Sequence, residues 1–384
     1  MDFNDVLQHS PLVLYLVAVF AFSFRLLPPV RNPTSLLFLM IALSALLTTW
    51  YYMFRFLHRS YQDAKMLAVA PADYDTTNWL EETSLFKQAW EYVCATSERW
   101  WFSSQLCTFT TGVWTVFLFA EGTPLHLTSR RPDLRKTAWE YMILGQIVAI
   151  SFSSSLFLAL LASPIPSSTF SPPSPGKSPS VAACPPSRLL YITVILSLLT
   201  VYYIPFSVGT SNFLLNLLVM HAIILFPLFQ LAASRTASSS HGSTLADSQL
   251  DSQSSTPGSS CDKNYKMLYL ASAVISLIYH LSIFLPLLEA QGIRKLAYLL
   301  WNTLNDYPAQ SSISWDVIWV NISWQTWAIM QTWALFGNTT PVGFIVAVTA
   351  IACTPILGAG VGIAMFLAVR EDWLQIKRMR MKYD

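Results

Sequence analysis

Long apolar runs divided by short polar stretches set the rhythm of this chain. Nine of them approach the ~20 residues that a helix needs to cross a bilayer core of about 30 Å. They cover residues 11–27, 35–57, 101–120, 138–162, 188–208, 212–233, 266–288, 313–336 and 341–369. The pattern predicts an all-α fold: one polytopic helical membrane domain over residues 1–384, with about nine transmembrane helices. Eight is the alternative, because only SVGTS (207–211) separates two of the runs. Pro205, Pro227, Pro286 and Pro355 interrupt runs without ending them, since neighbouring helices can satisfy the freed carbonyls. The first run has no basic segment before it and no small-residue cleavage site after it, so it reads as a retained helix.

Three stretches break the rhythm. Residues 79–99, WLEETSLFKQAWEYVCATSER, place Leu85, Phe86, Ala89, Trp90 and Val93 at spacings of three and four, which predicts an amphipathic surface helix leading into the third run. Residues 163–187 and 234–264 are rich in Ser and Pro, too polar to pack, and predict disordered loops. His241, in the second of these, reads as a solvated side chain.

Composition supports the membrane reading. With 53% apolar and only 11% charged residues, the chain could not cover a soluble surface of its size. The net charge of +2 and the absence of basic clusters interleaved with aromatics argue against a nucleic-acid partner. The five cysteines show no metal-ligand or dithiol spacing, and no metal or other cofactor is expected. Basic residues set the orientation. Arg130, Arg131, Arg135 and Lys136, together with the KRMRMK tail at 377–382, fall on one side of a nine-span chain, which puts the C-terminus in the cytosol. The Asn338 sequon then lies on the lumenal side, as glycosylation requires.

Ionisable groups in or at the ends of such runs are costly and mark candidate chemistry. Glu121, Glu140, Glu289 and Asp316 lie at run ends, and His221 and His280 lie deeper. Asp316 stands out because Trp319, Val320, Ser323, Trp327 and Gln331 share its helical face. The third run carries a comparable stripe of Trp101, Gln105, Thr108, Gly112 and Thr115, and the fourth adds Gln146 and Ser151 to Ser155. Small and hydroxylated residues at helix interfaces also serve close packing. A carboxyl group kept dry by aromatic rings can act as a general acid, and indole faces stabilise cations by roughly 0.5–2 kcal/mol each. Asp316, with Glu121 or Glu140 as partner, is therefore the candidate catalytic set. Trp319, Trp327, Ser323, Gln105, Gln146 and Trp101 are the candidate substrate-binding residues.

The segments ERWWFSSQL (98–106), YMILGQIVAISF (141–152) and PAQSSISWD (308–316) resemble a family of fungal polytopic membrane proteins. Some members of that family are membrane-bound terpene cyclases of terpenoid and meroterpenoid gene clusters. The resemblance covers roughly residues 79–160 and 300–335. It implies a metal-independent, acid-initiated cyclase of the endoplasmic reticulum membrane, acting on a prenylated or epoxidised lipid. Aspartate-rich diphosphate motifs, G-x-S-x-G, H-E-x-x-H, phosphate loops and dinucleotide fingerprints are absent from the sequence. Export of a hydrophobic metabolite, and a non-catalytic receptor-like or structural role, remain the alternatives.

Overall fold

The structure is a computed structural model that describes residues 3–69, 71–72, 74–123, 132–163, 188–233, 261–336 and 341–383. Among them the chain is all-helical. α1 (Phe3–Arg25) and α2 (Pro33–Leu67) are joined by a short extended segment. Pro33 opens α2, where its missing N–H is no loss, and the Asn32 side chain accepts from the Ser35 amide at 2.7 Å.

The amphipathic helix expected over 79–99 is divided. α3 (Thr76–Glu82) ends at an extended Thr83, α4 (Leu85–Cys94) follows, and an extended Thr96 precedes α5 (Ser97–Thr108). Both breaks fall at threonine–serine pairs, residues whose hydroxyls compete for backbone hydrogen bonds and which are weak helix formers. The apolar face of α4 is used as its spacing predicts: Val93 is buried, and the Phe86 and Trp90 rings lie 5.9 and 6.3 Å from the His221 ring.

The third run is one continuous rod made of α5, a π-helical turn (Phe109–Trp114) and α6 (Thr115–Gly122). Every residue from 102 to 118 is buried, so this rod forms the axis of the bundle. The widened π turn turns Gly112 toward a neighbouring helix, where the Ser272 hydroxyl donates to its carbonyl at 2.9 Å. A Cβ at Gly112 would meet the Ser272 Cβ at 3.0 Å, so any other residue would press the two helices apart by a few tenths of an ångström. Around the rod lie α7 (Pro132–Ile147), α8 (Ile150–Ala162), α9 (Arg188–Ser207), α10 (Phe213–Ala233), α11 (Cys261–Asn305, bent at Gly292), α12 (Pro308–Phe336), α13 (Pro341–Leu357) and α14 (Ala359–Tyr383).

Among the described residues, four helices are long and apolar enough to cross a membrane: Pro33–Leu67, Arg188–Ser207, Phe213–Ala233 and Tyr265–Asn305. Leu14–Arg25, Ile150–Ala162 and Phe344–Leu357 are shorter apolar helices. The nine runs thus do not return as nine such helices among the described residues. Large apolar side chains such as Leu47, Phe206, Leu215 and Ile356 are more than half exposed, whereas Ser103, Thr111, Ser153 and Ser314 are fully buried. That inverted distribution is compatible with an integral membrane protein. The region from 164 to 187, residues 234–260, the Asn338 sequon and the Arg130–Arg131 pair lie outside the described residues, and α11 already begins at Cys261, inside the second expected loop.

Candidate functional site

Two helix starts lie inside the bundle, and polar side chains gather at both. The first is the break between α7 and α8. Val148 ends the α7 hydrogen-bond ladder, Ala149 is extended, and α8 starts at Ile150. An alanine at the N-cap position has no side-chain acceptor for the free amides of the first turn. Asp316 supplies it from α12. Its two carboxylate oxygens accept from the Ile150 amide at 3.1 Å and the Ser151 amide at 2.8 Å. The side chain is only 6% exposed. An anion at the positive end of a helix dipole, with both oxygens held, is a stable way to bury a carboxylate.

Glu121 and Glu140 are elsewhere. Glu121, fully buried at the end of α6, pairs with Arg370 of α14 at 2.8 Å. The Arg370 guanidinium also lies over the Trp327 and Phe117 rings, at 5.3 and 5.8 Å. Trp327 stands eleven residues beyond Asp316, roughly 16 Å further along α12. Glu140 pairs with Arg25 of α1 at 2.8 Å. The three acids therefore do not meet in one site, and two of them already have an arginine. Trp327 belongs to a dense aromatic cluster with Phe117, Trp324 and Phe366, its ring 5.3 to 5.9 Å from theirs. Trp319 is half-buried, one turn from Asp316, and its indole N–H has no partner among the described residues. Ser323 donates to the Val320 carbonyl at 3.1 Å, and the Gln146 amide reaches the His221 carbonyl at 3.4 Å.

The second helix start is the break between α13 and α14 at Gly358, whose φ of +83° only glycine adopts without strain. It adjoins a cavity of about 10 Å³, room for a single water-sized group, lined in part by Gln105, Thr108, Ser276, Tyr279 and His280. Gln105 donates its amide to the Trp101 carbonyl at 3.0 Å. The Trp101 ring is 5.8 Å from the His280 ring, so two of the expected binding residues stand at this cavity and not beside Asp316. Neither Arg370, which follows directly on the ninth run, nor the glycine that breaks that run stands out in the sequence.

A third polar group ties the bundle at one end. Arg99 pairs with Asp306 at 2.9 Å and lies 3.8 Å above the Tyr92 ring, and the Tyr92 hydroxyl donates to Asp306 at 2.9 Å. Burial, and then the hydrogen bond to Asp306, push the Tyr92 hydroxyl up to about 12.

Residues 268–372, from α11 into α14, match a protein family described as Protein of unknown function DUF2834. No curated protein and no solved structure matches the chain.

Proposed function

We propose that this protein is a membrane-bound, metal-independent terpene cyclase that protonates a prenylated or epoxidised lipid, with Asp316 as the acid. One observation carries the reading: two of the segments that resemble the cyclase-containing family, far apart in sequence, meet at Asp316, and the remaining one packs against the start of the third. Residues Ile150 and Ser151 of the second segment bind the carboxylate that ends the third. Trp100 of the first segment and Ala309 of the third belong to one apolar cluster.

The geometry has a chemical use. When a carboxylic acid gives up its proton, charge develops on its two oxygens, and here two amides and a helix N-terminus already point at them. Each oxygen keeps a second lone pair on which the proton can reside before transfer. Trp319, one turn away, is the indole available to the developing cation, since Arg370 already occupies the face of Trp327. Glu121 and Glu140, each paired with an arginine, drop out of the catalytic set in this reading. Nine spans, residence in the endoplasmic reticulum and a cytosolic C-terminus go with it.

The test is conversion of a candidate prenylated epoxide by membranes containing the protein, measured per folded molecule. Wild type should form an isomer of unchanged mass and Asp316→Asn should not. Equal conversion by the two proteins removes Asp316 from the mechanism, and no isomer from wild type removes the cyclase. Export of a hydrophobic metabolite is the second reading, favoured by the helix broken at Gly358 beside a polar cavity, an arrangement that transporters use at their binding sites. It predicts vesicle flux with no change in the solute.

A further inference from the structure

Ser276 and His280 lie one turn apart on α11, 3% and 4% exposed, and both line the cavity at the Gly358 break. The Ser276 hydroxyl and His280 Nδ1 have no hydrogen-bond partner among the described residues. Leaving two such groups empty inside a bundle is costly, because each has given up its bonds to water. The hydroxyl protons beside them are committed elsewhere. The Thr108 hydroxyl donates to the Ser104 carbonyl at 2.9 Å, and the Tyr279 hydroxyl donates to the Leu198 carbonyl at 2.8 Å. The first turn of α14 begins immediately after Gly358, whose carbonyl accepts from the Val361 and Gly362 amides at 3.1 Å, so the Ala359 and Gly360 amides are the ones without an acceptor in their own helix.

From these groups we infer that the cavity is a binding site for the hydroxyl end of an otherwise apolar, bilayer-borne ligand. A volume of about 10 Å³ has room for one oxygen with its proton. The chemistry asks for a group that both donates and accepts, because a serine hydroxyl and an imidazole nitrogen, both without partners among the described residues, belong to its lining together. None of the lining residues is acidic, lysine or arginine, so neither a cation nor a carboxylate finds a counter-charge. Thr108, Ser276 and Gly358 each fall near the middle of their apolar runs, 101–120, 266–288 and 341–369, at the depth where a bilayer holds least water. Leu357 and Tyr279 in the cavity wall are half-buried, and Ile278 and Ile356 beside them are 58% and 66% exposed, so an apolar chain attached to the hydroxyl has a lateral surface to lie on. The inference rests on the bundle lying in a membrane and not on the cyclase reading.

The test uses the full-length protein in nanodiscs, with farnesol as probe and the hydrocarbon farnesene as control, read by thermal unfolding without turnover. Farnesol should raise the unfolding midpoint saturably and farnesene should not. Ser276→Ala should weaken the apparent affinity by about three- to tenfold. Gly360→Ala should abolish the response, because its Cβ would stand 3.0 Å from both the Ser276 and Thr108 hydroxyl oxygens. The midpoint of each variant without ligand reports whether it folds. Equal responses to alcohol and hydrocarbon, or an undiminished farnesol response in Ser276→Ala, overturn the inference. So does the absence of any saturable response, which leaves the cavity to water. Loss of cyclase activity with retained farnesol binding separates the two proposals.

Discussion

Asp316→Asn keeps the shape of the side chain and removes its charge. The carboxylate now accepts from two amides, Ile150 and Ser151, at the start of α8. An asparagine can accept from one of them, and its own N–H₂ must face the other. A charge-assisted hydrogen bond is worth about 1.5–3 kcal/mol, and a buried charge at a helix end up to about 2 kcal/mol. Together these predict a loss of about 3–5 kcal/mol. For a chain of 384 residues that corresponds to a fall of about 4–6 °C in the unfolding midpoint. The assay is thermal unfolding of the purified protein in detergent, followed by tryptophan fluorescence. Ala149→Ser provides the internal control, because Ala149 already has extended N-cap dihedrals, φ −171° and ψ 137°, but no acceptor. A hydroxyl there should return about 0.5–2 kcal/mol in the Asp316→Asn background. An Asp316→Asn protein that unfolds with wild type, or an Ala149→Ser change that restores nothing, refutes the capping argument. The rescued double variant is also the protein in which loss of conversion can be read apart from loss of fold.

Arg370→Leu should cost about 3–5 kcal/mol, since it strips the fully buried Glu121 of its guanidinium, and the Glu121→Leu/Arg370→Leu double variant should be more stable than Arg370→Leu alone in the same unfolding assay. Gly358→Ala should cost about 1–3 kcal/mol through its positive φ, with a further loss because the new Cβ would stand 2.7 Å from Gln105 Oε1; an unchanged midpoint would show that the break can relax. The raised Tyr92 hydroxyl stabilises the fold in its neutral form, fully below the ordinary tyrosine value near 10, and that contribution is lost as pH rises toward about 12. Unfolding midpoints taken across that window should fall, and Tyr92→Phe should flatten the fall.

The helices were legible wherever lipid or plain burial demanded apolar residues. α9, α10 and the first part of α11 follow the runs closely. The two most enclosed helices were harder to judge. The rod from Ser97 to Gly122 and α12 touch protein on most faces, so they carry Trp, Gln, Ser and Thr where a lipid-facing helix needs Leu or Ile. Their polar content reflects enclosure, while breaks at Ala149 and Gly358 divide other runs, and the π turn the rod itself, into helices too short to span. The polarity around Asp316 was visible, but its partner was not. Periodicity along α12 places Asp316 beside Trp319 and Trp327, whereas its hydrogen bonds go to backbone amides 165 and 166 residues away. Backbone donors leave no mark in a sequence unless the N-cap residue is noticed to be missing, and Ala149 is that mark. Arg370 was hidden for a similar reason, because a charge at a run end looks solvated until its partner at another run end is known.

The two internal helix starts separate what is built for stability from what is open to a ligand. At α8 the positive end of the helix meets a full negative charge carried by the protein itself, and the first two amides are filled. No exchangeable group is needed there, and any chemistry at Asp316 must be done by a carboxyl group that also holds the helix in place. At α14 the same kind of helix end meets only neutral side chains around a cavity, with a serine and a histidine left unpartnered. Its neutral lining makes α14, more than α8, the helix start suited to bind and release a polar group, while Asp316 stays held on the backbone amides of α8.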